Sequence, residues 1–196
     1  MEPQPKPYLT ASEYLAIERR AETRSEYLDG EMFAMAGTSL AHSTIVGNLV
    51  GELRQQVKKQ PCRVCPSDLR IHIPTTGLYT YPDVVVVCGE PKLLEDEELD
   101  TLLNPTLIVE VLSPNTEAYD RGKKFEHYRT IDSLAEYLLA SQDEPRIEQY
   151  LRQDDGHWLF TAVAGLDSRI ALPSIQCELS LAEVYDKVEL REPHSA

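Results

Sequence analysis

Two acidic residues stand beside short apolar runs that have the composition of buried strands. Asp83 directly precedes the aliphatic run 84–87, and Glu110 lies inside the run 107–112. Continuous aliphatic runs of this kind are typical of strands that are buried on both faces. A buried carboxylate is costly unless it is paired or bound to a metal ion, so both acids require an explanation. The simplest one is a site for a hard cation, Mg²⁺ or Mn²⁺, between two adjacent strands.

A lysine from the following helix is predicted to complete this site. The sequence predicts a helix over residues 117–130. At about 100° per residue, Phe125 and Tyr128 share the face that packs on the sheet. Lys124 lies at the edge of that face, whereas Lys123 points nearly to the opposite side. Lys124 is therefore expected to reach the carboxylates, and Lys123 is expected to face water.

Two carboxylates and an ammonium group suit the metal-assisted cleavage of a phosphodiester. Asp83 and Glu110 would hold the metal ion and leave positions for water and a phosphate oxygen. Lys124 would orient the attacking water, or help to deprotonate it, and offset charge that develops on the phosphate. Each residue also has a simpler interpretation. Asp83 can be a turn residue after Pro82, Glu110 can belong to a buried ion pair, and Lys124 can be a solvated helix lysine.

Four further residues are weaker candidates for the surroundings of the site. Tyr128, four residues after Lys124, is expected either to hold the lysine in place or to pack in the core. Asp68, in the run S-D-L-R, is a candidate acid behind the metal ligands, and His42, at the start of a long helix, is a candidate to face the cleft. A polar strand edge and a surface histidine are the commoner roles for such residues. Glu31 is the fourth candidate, but the sequence does not indicate where its side chain points.

The acids and the helix together form a pattern that resembles the PD-(D/E)XK nuclease superfamily. The pattern is Pro82-Asp83, Glu110 within V-E-V-L-S-P-N-T, and D-R-G-K-K, which ends at Lys124 and is followed by Tyr128. It is most similar to the Uma-type "putative restriction endonucleases", which are abundant in cyanobacteria. The resemblance implies a restriction-endonuclease-like α/β core and cleavage of DNA that depends on a divalent metal. It makes Asp83, Glu110 and Lys124 the catalytic residues.

The resemblance also implies a further ligand and contains one departure. By analogy, the main-chain carbonyl of Val111 joins Asp83 and Glu110 as a metal ligand. The superfamily usually places its lysine two residues after the acid, and that position is Leu112 here. The resemblance therefore points to Lys124 on the next helix. The alternative is a catalytically inactive binding or regulatory module that retains the nuclease fold.

The order of predicted elements indicates an α/β fold with helices packed on a mixed β-sheet. A capping box that begins at Thr10 starts a helix that is predicted to run to about Arg24, and Asp29-Gly30 predicts a hairpin after it. A long helix and several strands follow, one of them predicted over 81–88. A strand–helix–strand unit then spans residues 106–140. Such a unit requires a parallel strand pair with a crossover connection. Residues 1–190 are expected to form a single domain, and residues 191–196 a disordered tail.

Charge and hydropathy restrict the partners and the location that we expect. The net charge of −14, from 19 basic and 33 acidic residues, argues against tight and non-specific binding to DNA. This net charge does not exclude a local basic groove. No apolar run approaches the roughly 18 residues of a membrane helix, and no signal pattern begins the chain, so we expect a cytoplasmic protein with no membrane partner. Double-strand cleavage of a DNA substrate would favour a homodimer.

Other catalytic motifs have weaker support in the sequence. Cys62 and Cys65 have the C-x-x-C spacing of zinc or redox sites, but Cys88 and Cys177 do not form a second matching pair. Small buried side chains are the simpler interpretation, and disulfides are not expected without a secretion signal. Ser113 lacks the G-x-S-x-G sequence of a serine hydrolase, and the chain lacks a phosphate-binding G-x-x-x-x-G-K-[ST] loop.

Overall fold

The structure is a computed structural model that describes residues 8–35, 37–95 and 100–190. The predicted disordered tail, 191–196, lies outside the described residues, and the predicted extent of the domain stays a prediction. The helices of the described part are α1 (Ala11–Glu18), α2 (Leu40–Gln56), α3 (Glu117–Tyr119), α4 (Phe125–Tyr128) and α5 (Leu181–Val184). Its strands are β1 (Ser25–Leu28), β2 (Glu31–Ala34), β3 (Cys62–Pro66), β4 (Arg70–Ile73), β5 (Leu78–Thr80), β6 (Val84–Cys88), β7 (Thr101–Leu102), β8 (Leu107–Leu112), β9 (Glu136–Ser141), β10 (Arg146–Arg152), β11 (Trp158–Ala164), β12 (Arg169–Leu172) and β13 (Cys177–Ser180).

A six-stranded mixed sheet carries the two acidic strands predicted from the sequence. Its order is β11-β10-β9-β8-β6-β3. β8 and β9 are parallel, and the other neighbours are antiparallel. The predicted strand–helix–strand unit with a parallel pair is therefore confirmed. β12 and β13 form a separate two-stranded sheet.

The six-stranded sheet buries both of its faces, which explains its continuous aliphatic strands. One face packs against α2 and α5, and the other packs against α4 and the turn that follows it. Side chains alternate between the faces, because successive residues of a strand point to opposite sides. On the α2 side lie Val84, Val86, Val109 and Val111. On the α4 side lie Val85, Val87, Ile108 and Leu112.

A second sheet, of order β2-β1-β5-β4-β7, begins with the hairpin predicted at Asp29-Gly30. β1 and β2 are antiparallel, and both turn residues have positive φ, 49° at Asp29 and 82° at Gly30. Two successive residues with positive φ match the right-handed twist of paired strands, which is why Asp-Gly favours tight hairpins. The hairpin prediction is confirmed.

The structure corrects three expectations about local elements. α1 ends at Glu18, several residues before the predicted end. The strand predicted over 81–88 begins only at Val84, because Pro82 has no backbone N–H to donate to a strand partner. The expectation of no disulfide was wrong. Cys62 and Cys88 lie opposite each other in β3 and β6 and are joined by a disulfide, while Cys65 and Cys177 are free.

In the part of the chain that the structure describes, no helix is both long and apolar enough to cross a bilayer. The cytoplasmic location stays a prediction.

Candidate active site

The register of β6 and β8 brings the two predicted carboxylates to the same face of the sheet. Val84 pairs with Val109 in this antiparallel ladder, so the next opposed pair is Asp83 and Glu110. Directly opposed residues of antiparallel strands point to the same side. That side is the one covered by α4, because Asp83 and Glu110 alternate with the valines that face α2.

Lys124 comes from a helix that runs without a break over residues 117–128, the Lys124 helix. It consists of α3, a π-helical turn at Asp120–Lys124, and α4. The Nζ atom of Lys124 lies 2.9 Å from Oε1 of Glu110 and 3.2 Å from Oε1 of Glu26. The side chain is buried, whereas that of Lys123 is exposed. The helical spacing predicted this difference between two lysines that are neighbours in sequence.

Glu110 is a buried carboxylate with several polar contacts. The Tyr128 hydroxyl donates to its Oε1 at 2.6 Å, and the Asp83 N–H donates to its Oε2 at 3.4 Å. Burial raises the pKa of Glu110 to about 8, which Lys124 opposes and the nearby Asp83 and Asp120 reinforce. Burial and the surrounding acids therefore favour a proton on this group in the metal-free protein.

Asp83 is held from two sides and is the more open of the two acids. Its Oδ2 accepts a hydrogen bond from the Val111 N–H at 2.8 Å and lies 3.2 Å from Nε2 of His42. His42 stands in the first turn of α2, where its N–H donates to the capping hydroxyl of Ser39. The Asp83 side chain is 14% exposed, against 5% for Glu110. Asp83 is therefore the carboxylate with more access to solvent.

The cluster around Lys124 contains more acids than bases. Oδ1 of Asp120, one helical turn earlier, lies 3.5 Å from Nζ of Lys124, and the Thr80 hydroxyl donates to Glu26. Burial opposes the charge of Lys124, but Glu110, Glu26 and Asp120 raise its pKa well above the ordinary value. Burial also raises the pKa of Asp120, and Lys124 opposes this shift. Lys124 is thus a buried ammonium ion, with a surplus of carboxylates around it.

These groups form one end of an open cleft of about 770 Å³. The β1–β2 hairpin forms one wall, and the start of α2 lies above Asp83. The loop that follows β8 and the polar residues Gln142 and Asp143 also line it. The carboxylates Glu26, Asp83, Glu110 and Asp120 all line the cleft, as do His42 and Lys124. A ligand that enters the cleft therefore meets the acids directly.

The family model described as "Putative restriction endonuclease" matches residues 11–183 of this chain. The chain belongs to the Uma2 family. The match covers the hairpin, both acidic strands and the Lys124 helix. The family prediction made from the sequence is therefore confirmed, and the indicated kind of protein is a nuclease.

Relatives of the chain come from cyanobacteria. An uncharacterized protein of Synechocystis is 40% identical over 181 residues, which are 92% of this chain and 93% of that protein. A second uncharacterized Synechocystis protein is 38% identical over 162 residues, which are 83% of this chain and 91% of that protein. A crystal structure described as "a putative nuclease belonging to DUF820", from Anabaena variabilis, has a TM-score of 0.73 at 22% identity. It covers 90% of this chain and 97% of its own, and it confirms the fold class.

Restriction-endonuclease-like proteins such as the Uma2 family generally use divalent metal ions, and the donor set of the cleft fits such an ion. Asp83 and Glu110 offer carboxylate oxygens side by side. Mg²⁺ is usually bound through one or two carboxylates, together with waters and substrate phosphates. Among the described residues, no group of three or more His, Cys, Asp or Glu side chains is arranged to hold a metal ion.

Two candidates from the sequence do not reach the cleft. Asp68 is 76% exposed and forms an ion pair with Arg24 on the surface. Glu31 lies beside the hairpin turn, opposite Leu28, and does not line the cleft. The C-x-x-C pair also forms no site, because Cys62 is bonded to Cys88 instead of pairing with Cys65.

Two acids of the cluster were missed by the sequence analysis. Asp120 precedes Lys124 by four residues, and this spacing on a helix is a signal for an ion pair. Glu26 lies in β1, on the hairpin strand opposite to the one that carries Glu31. Its position depends on how β1 pairs with β5, which brings the Thr80 region to its side chain. The sequence alone does not contain that pairing.

Proposed function

We propose that this Uma2 protein is a metal-dependent endonuclease that hydrolyses phosphodiester bonds of DNA with Mg²⁺ or Mn²⁺. The observation that carries the proposal is the convergence of three groups from three elements. Asp83 precedes β6, Glu110 lies on β8, and Lys124 lies on the helix, with its Nζ 2.9 Å from Glu110. An open cleft gives a substrate access to them.

In this proposal, the metal would be held by Asp83, Glu110 and the main-chain carbonyl of Val111. When bound, the ion supplies a Lewis acid for the phosphate and lowers the pKa of a bound water. The Lys124 ammonium orients the attacking water and stabilises negative charge that develops on the phosphate oxygens. The ammonium of Lys124 lies 2.9 Å from Glu110, and both residues line the cleft that a substrate would enter.

The neighbouring side chains position these groups. The Tyr128 hydroxyl fixes Glu110, and Glu26 with Asp120 holds Lys124 against the sheet. His42 fixes the Asp83 carboxylate from the start of α2. Groups that are held in this way need little reorganisation when a substrate binds, and this lowers the barrier to reaction.

An inactive binding or regulatory module is the second candidate. It is favoured by Leu112, which occupies the position where the superfamily usually has its lysine, and by the net charge of −14. In such a module, the ion pairs of Lys124 would only neutralise the buried acids.

Cleavage of supercoiled plasmid DNA tests the proposal. With Mg²⁺ or Mn²⁺ the wild-type protein should nick the plasmid, and EDTA should stop the reaction. Asp83→Asn and Lys124→Met should each lower the rate on the order of a hundredfold or more. Lys58→Met is the matched control, because it removes an exposed lysine that does not line the cleft, and it should cause a far smaller loss. DNA binding without nicking by the folded wild-type protein would support the inactive module.

A homodimer is also proposed, because two clefts related by a two-fold axis can each cleave one strand of a duplex. The molar mass of the protein, measured by light scattering with and without DNA, tests this. A single-chain mass in both conditions would contradict it.

A further inference from the structure

One wall of the cleft carries exposed apolar side chains that the proposed chemistry does not use. This apolar wall consists of residues of the β1–β2 hairpin and its end, and Phe33 is its largest side chain, 48% exposed. Met35 is 36% exposed. The other members are Leu28 and Ala34. Nothing in the proposed hydrolysis of a phosphodiester requires an aromatic ring at this place.

The register of the hairpin fixes where Phe33 stands relative to the acids. Phe33 pairs directly with Glu26, so their side chains lie on the same face, with Cβ atoms about 5 Å apart. Oε1 of Glu26 is in turn 3.2 Å from Nζ of Lys124. The ring of Phe33 is therefore the cross-strand neighbour of Glu26, the carboxylate that contacts the proposed catalytic Lys124.

Other residues that line the cleft have a different chemical character. They include Ser113, Asn115, Thr116 and Gln142, whose hydroxyl and amide groups are uncharged hydrogen-bonding partners, together with the acidic Asp143. Such groups suit the sugar and phosphate oxygens of a nucleic acid. The cleft thus contains exposed apolar side chains, uncharged polar groups, and the acids with Lys124. These groups match the parts of one nucleotide, with a base against Phe33 and the backbone against the polar groups.

A paired duplex fits this arrangement only after it is distorted. Its bases are stacked inside the helix and expose only their edges in the grooves, so a ring beside the backbone meets the face of a base only when the base leaves the stack, which costs free energy. An unpaired base presents its π face without that cost, and stacking on an aromatic side chain is the usual way in which proteins hold single strands. The position of Phe33 therefore favours unpaired DNA.

We propose that the cleft takes DNA whose nucleotide next to the scissile phosphate is unpaired, as in a single strand or a loop, and that the base of this nucleotide stacks on Phe33. The proposal rests on the proposed nuclease function and specifies its substrate class.

Binding of labelled oligonucleotides tests the proposal without requiring cleavage. Fluorescence anisotropy in Mg²⁺ would compare a single strand, the blunt duplex of the same sequence, and the duplex with a central unpaired loop, all with hydrolysis-resistant phosphorothioate linkages. The single strand and the looped duplex should bind at least tenfold more tightly than the blunt duplex, as expected for one stacked base. Phe33→Ala should remove most of this difference, and Phe33→Trp should retain it.

Phe160 provides a matched control within the same chain. It is 50% exposed, lies on the outermost strand β11, and does not line the cleft. Phe160→Ala therefore removes an equally exposed ring, and it should leave the preference for unpaired DNA unchanged. Equal binding of single strand and duplex by the wild type, or equal effects of Phe33→Ala and Phe160→Ala, would overturn the proposal.

Two further outcomes separate this proposal from its alternatives. If Phe33→Ala changes the molar mass in solution but not the binding of single strands, the apolar wall is an interface with a second copy, and the proposal is wrong. If single strands bind through Phe33 but no DNA is cleaved, the proposed nuclease function is wrong, whereas the stacking of a base on Phe33 is supported. If the protein nicks plasmid DNA but shows no preference for unpaired DNA, the nuclease function is supported and the stacking of a base on Phe33 is wrong.

Discussion

The ionisation of Glu110 links the candidate site to the stability of the chain. Burial raises its pKa to about 8, from 4.5 for an ordinary glutamate, although Lys124 lies only 2.9 Å away. The folded chain therefore holds the proton of Glu110 more tightly than the unfolded chain does. The contribution of this shift to the free energy of unfolding has its full value below pH 4.5, and it is lost as the pH rises towards 8.

Glu110→Gln should remove this pH dependence, because glutamine does not ionise. We expect the variant to gain stability relative to the wild type between pH 5 and pH 8 in metal-free buffer, by on the order of 3 kcal/mol. Urea unfolding curves at the two pH values measure the change. The exposed Glu126→Gln on the same helix is the control, and it should show no such gain. A parallel pH dependence in wild type and Glu110→Gln would show that Glu110 is ionised throughout this range.

Individual residues were predictable where a single element determines their direction. Asp83 and Glu110 stand out as acids in aliphatic strands, and helical periodicity alone separates Lys124 from Lys123. Glu26 was not predictable, because its approach to Lys124 depends on the pairing of strands that are distant in sequence. Pairing of that kind is decided by the packing of the whole chain and not by local pattern.

At the scale of elements, the supply of lysine from the Lys124 helix distinguishes this chain from the usual superfamily pattern. Leu112 follows Glu110 by two residues on β8, so both side chains point to the same face of the sheet. Leu112 packs there with Tyr128, close to the place that Lys124 enters from the helix. A lysine on the strand and a lysine on the helix therefore approach Glu110 from the same side.

Moving the lysine from the helix to the strand should restore part of the activity. Lys124→Ala alone should reduce plasmid nicking on the order of a hundredfold. Adding Leu112→Lys to this variant should recover a measurable part of the loss, because the ammonium can enter the space that Lys124 vacates. Leu112→Met in the same background is the uncharged control. Equal nicking by the two double variants, both shown to be folded by circular dichroism, would mean that the two lysine positions are not interchangeable.

The disulfide between β3 and β6 cross-links the edge strand to the strand that follows Asp83. Cys62 and Cys88 are 26 residues apart, and a loop of this length corresponds to about 3.5 kcal/mol in the chain-entropy description. A reducing agent should therefore lower the urea midpoint of the wild type and leave Cys62→Ser/Cys88→Ser unchanged. A thiol titration of the native chain should find two free thiols, those of Cys65 and Cys177. After reduction it should find four. Four free thiols in the untreated protein would contradict the cross-link.

Elements were predicted more accurately than their pairing. The capping box of α1, the Asp-Gly hairpin and the parallel β8–β9 unit all follow from local sequence rules. The disulfide did not, because it depends on the register that sets Cys62 opposite Cys88. The π-helical turn at Asp120–Lys124 was also not expected, since regular periodicity describes an unbroken α-helix.

At the scale of the whole molecule, the acidity of the chain determines how salt should affect DNA binding. A protein that neutralises many phosphates loses affinity steeply as salt rises, because each contact releases condensed counterions. Here 33 acidic residues outnumber 19 basic ones, and acids line the cleft. Among the described residues that line it, Lys123 is the exposed lysine. Affinity must therefore come mainly from hydrogen bonds, stacking and the metal ion.

The logarithm of the affinity for a single strand should fall with the logarithm of the salt concentration by a slope below about 2, as expected for one or two phosphate contacts. Ala34→Lys adds a cation to the exposed apolar wall, and it should steepen the slope by about 0.7, the value for one further contact to a single strand. Ala34→Gln, of similar size without charge, should leave the slope unchanged. Anisotropy titrations between low and moderate salt at constant Mg²⁺ measure all three. A steep slope in the wild type would show that basic residues outside the cleft carry the DNA, and the substrate would then be held by its backbone and not by its bases.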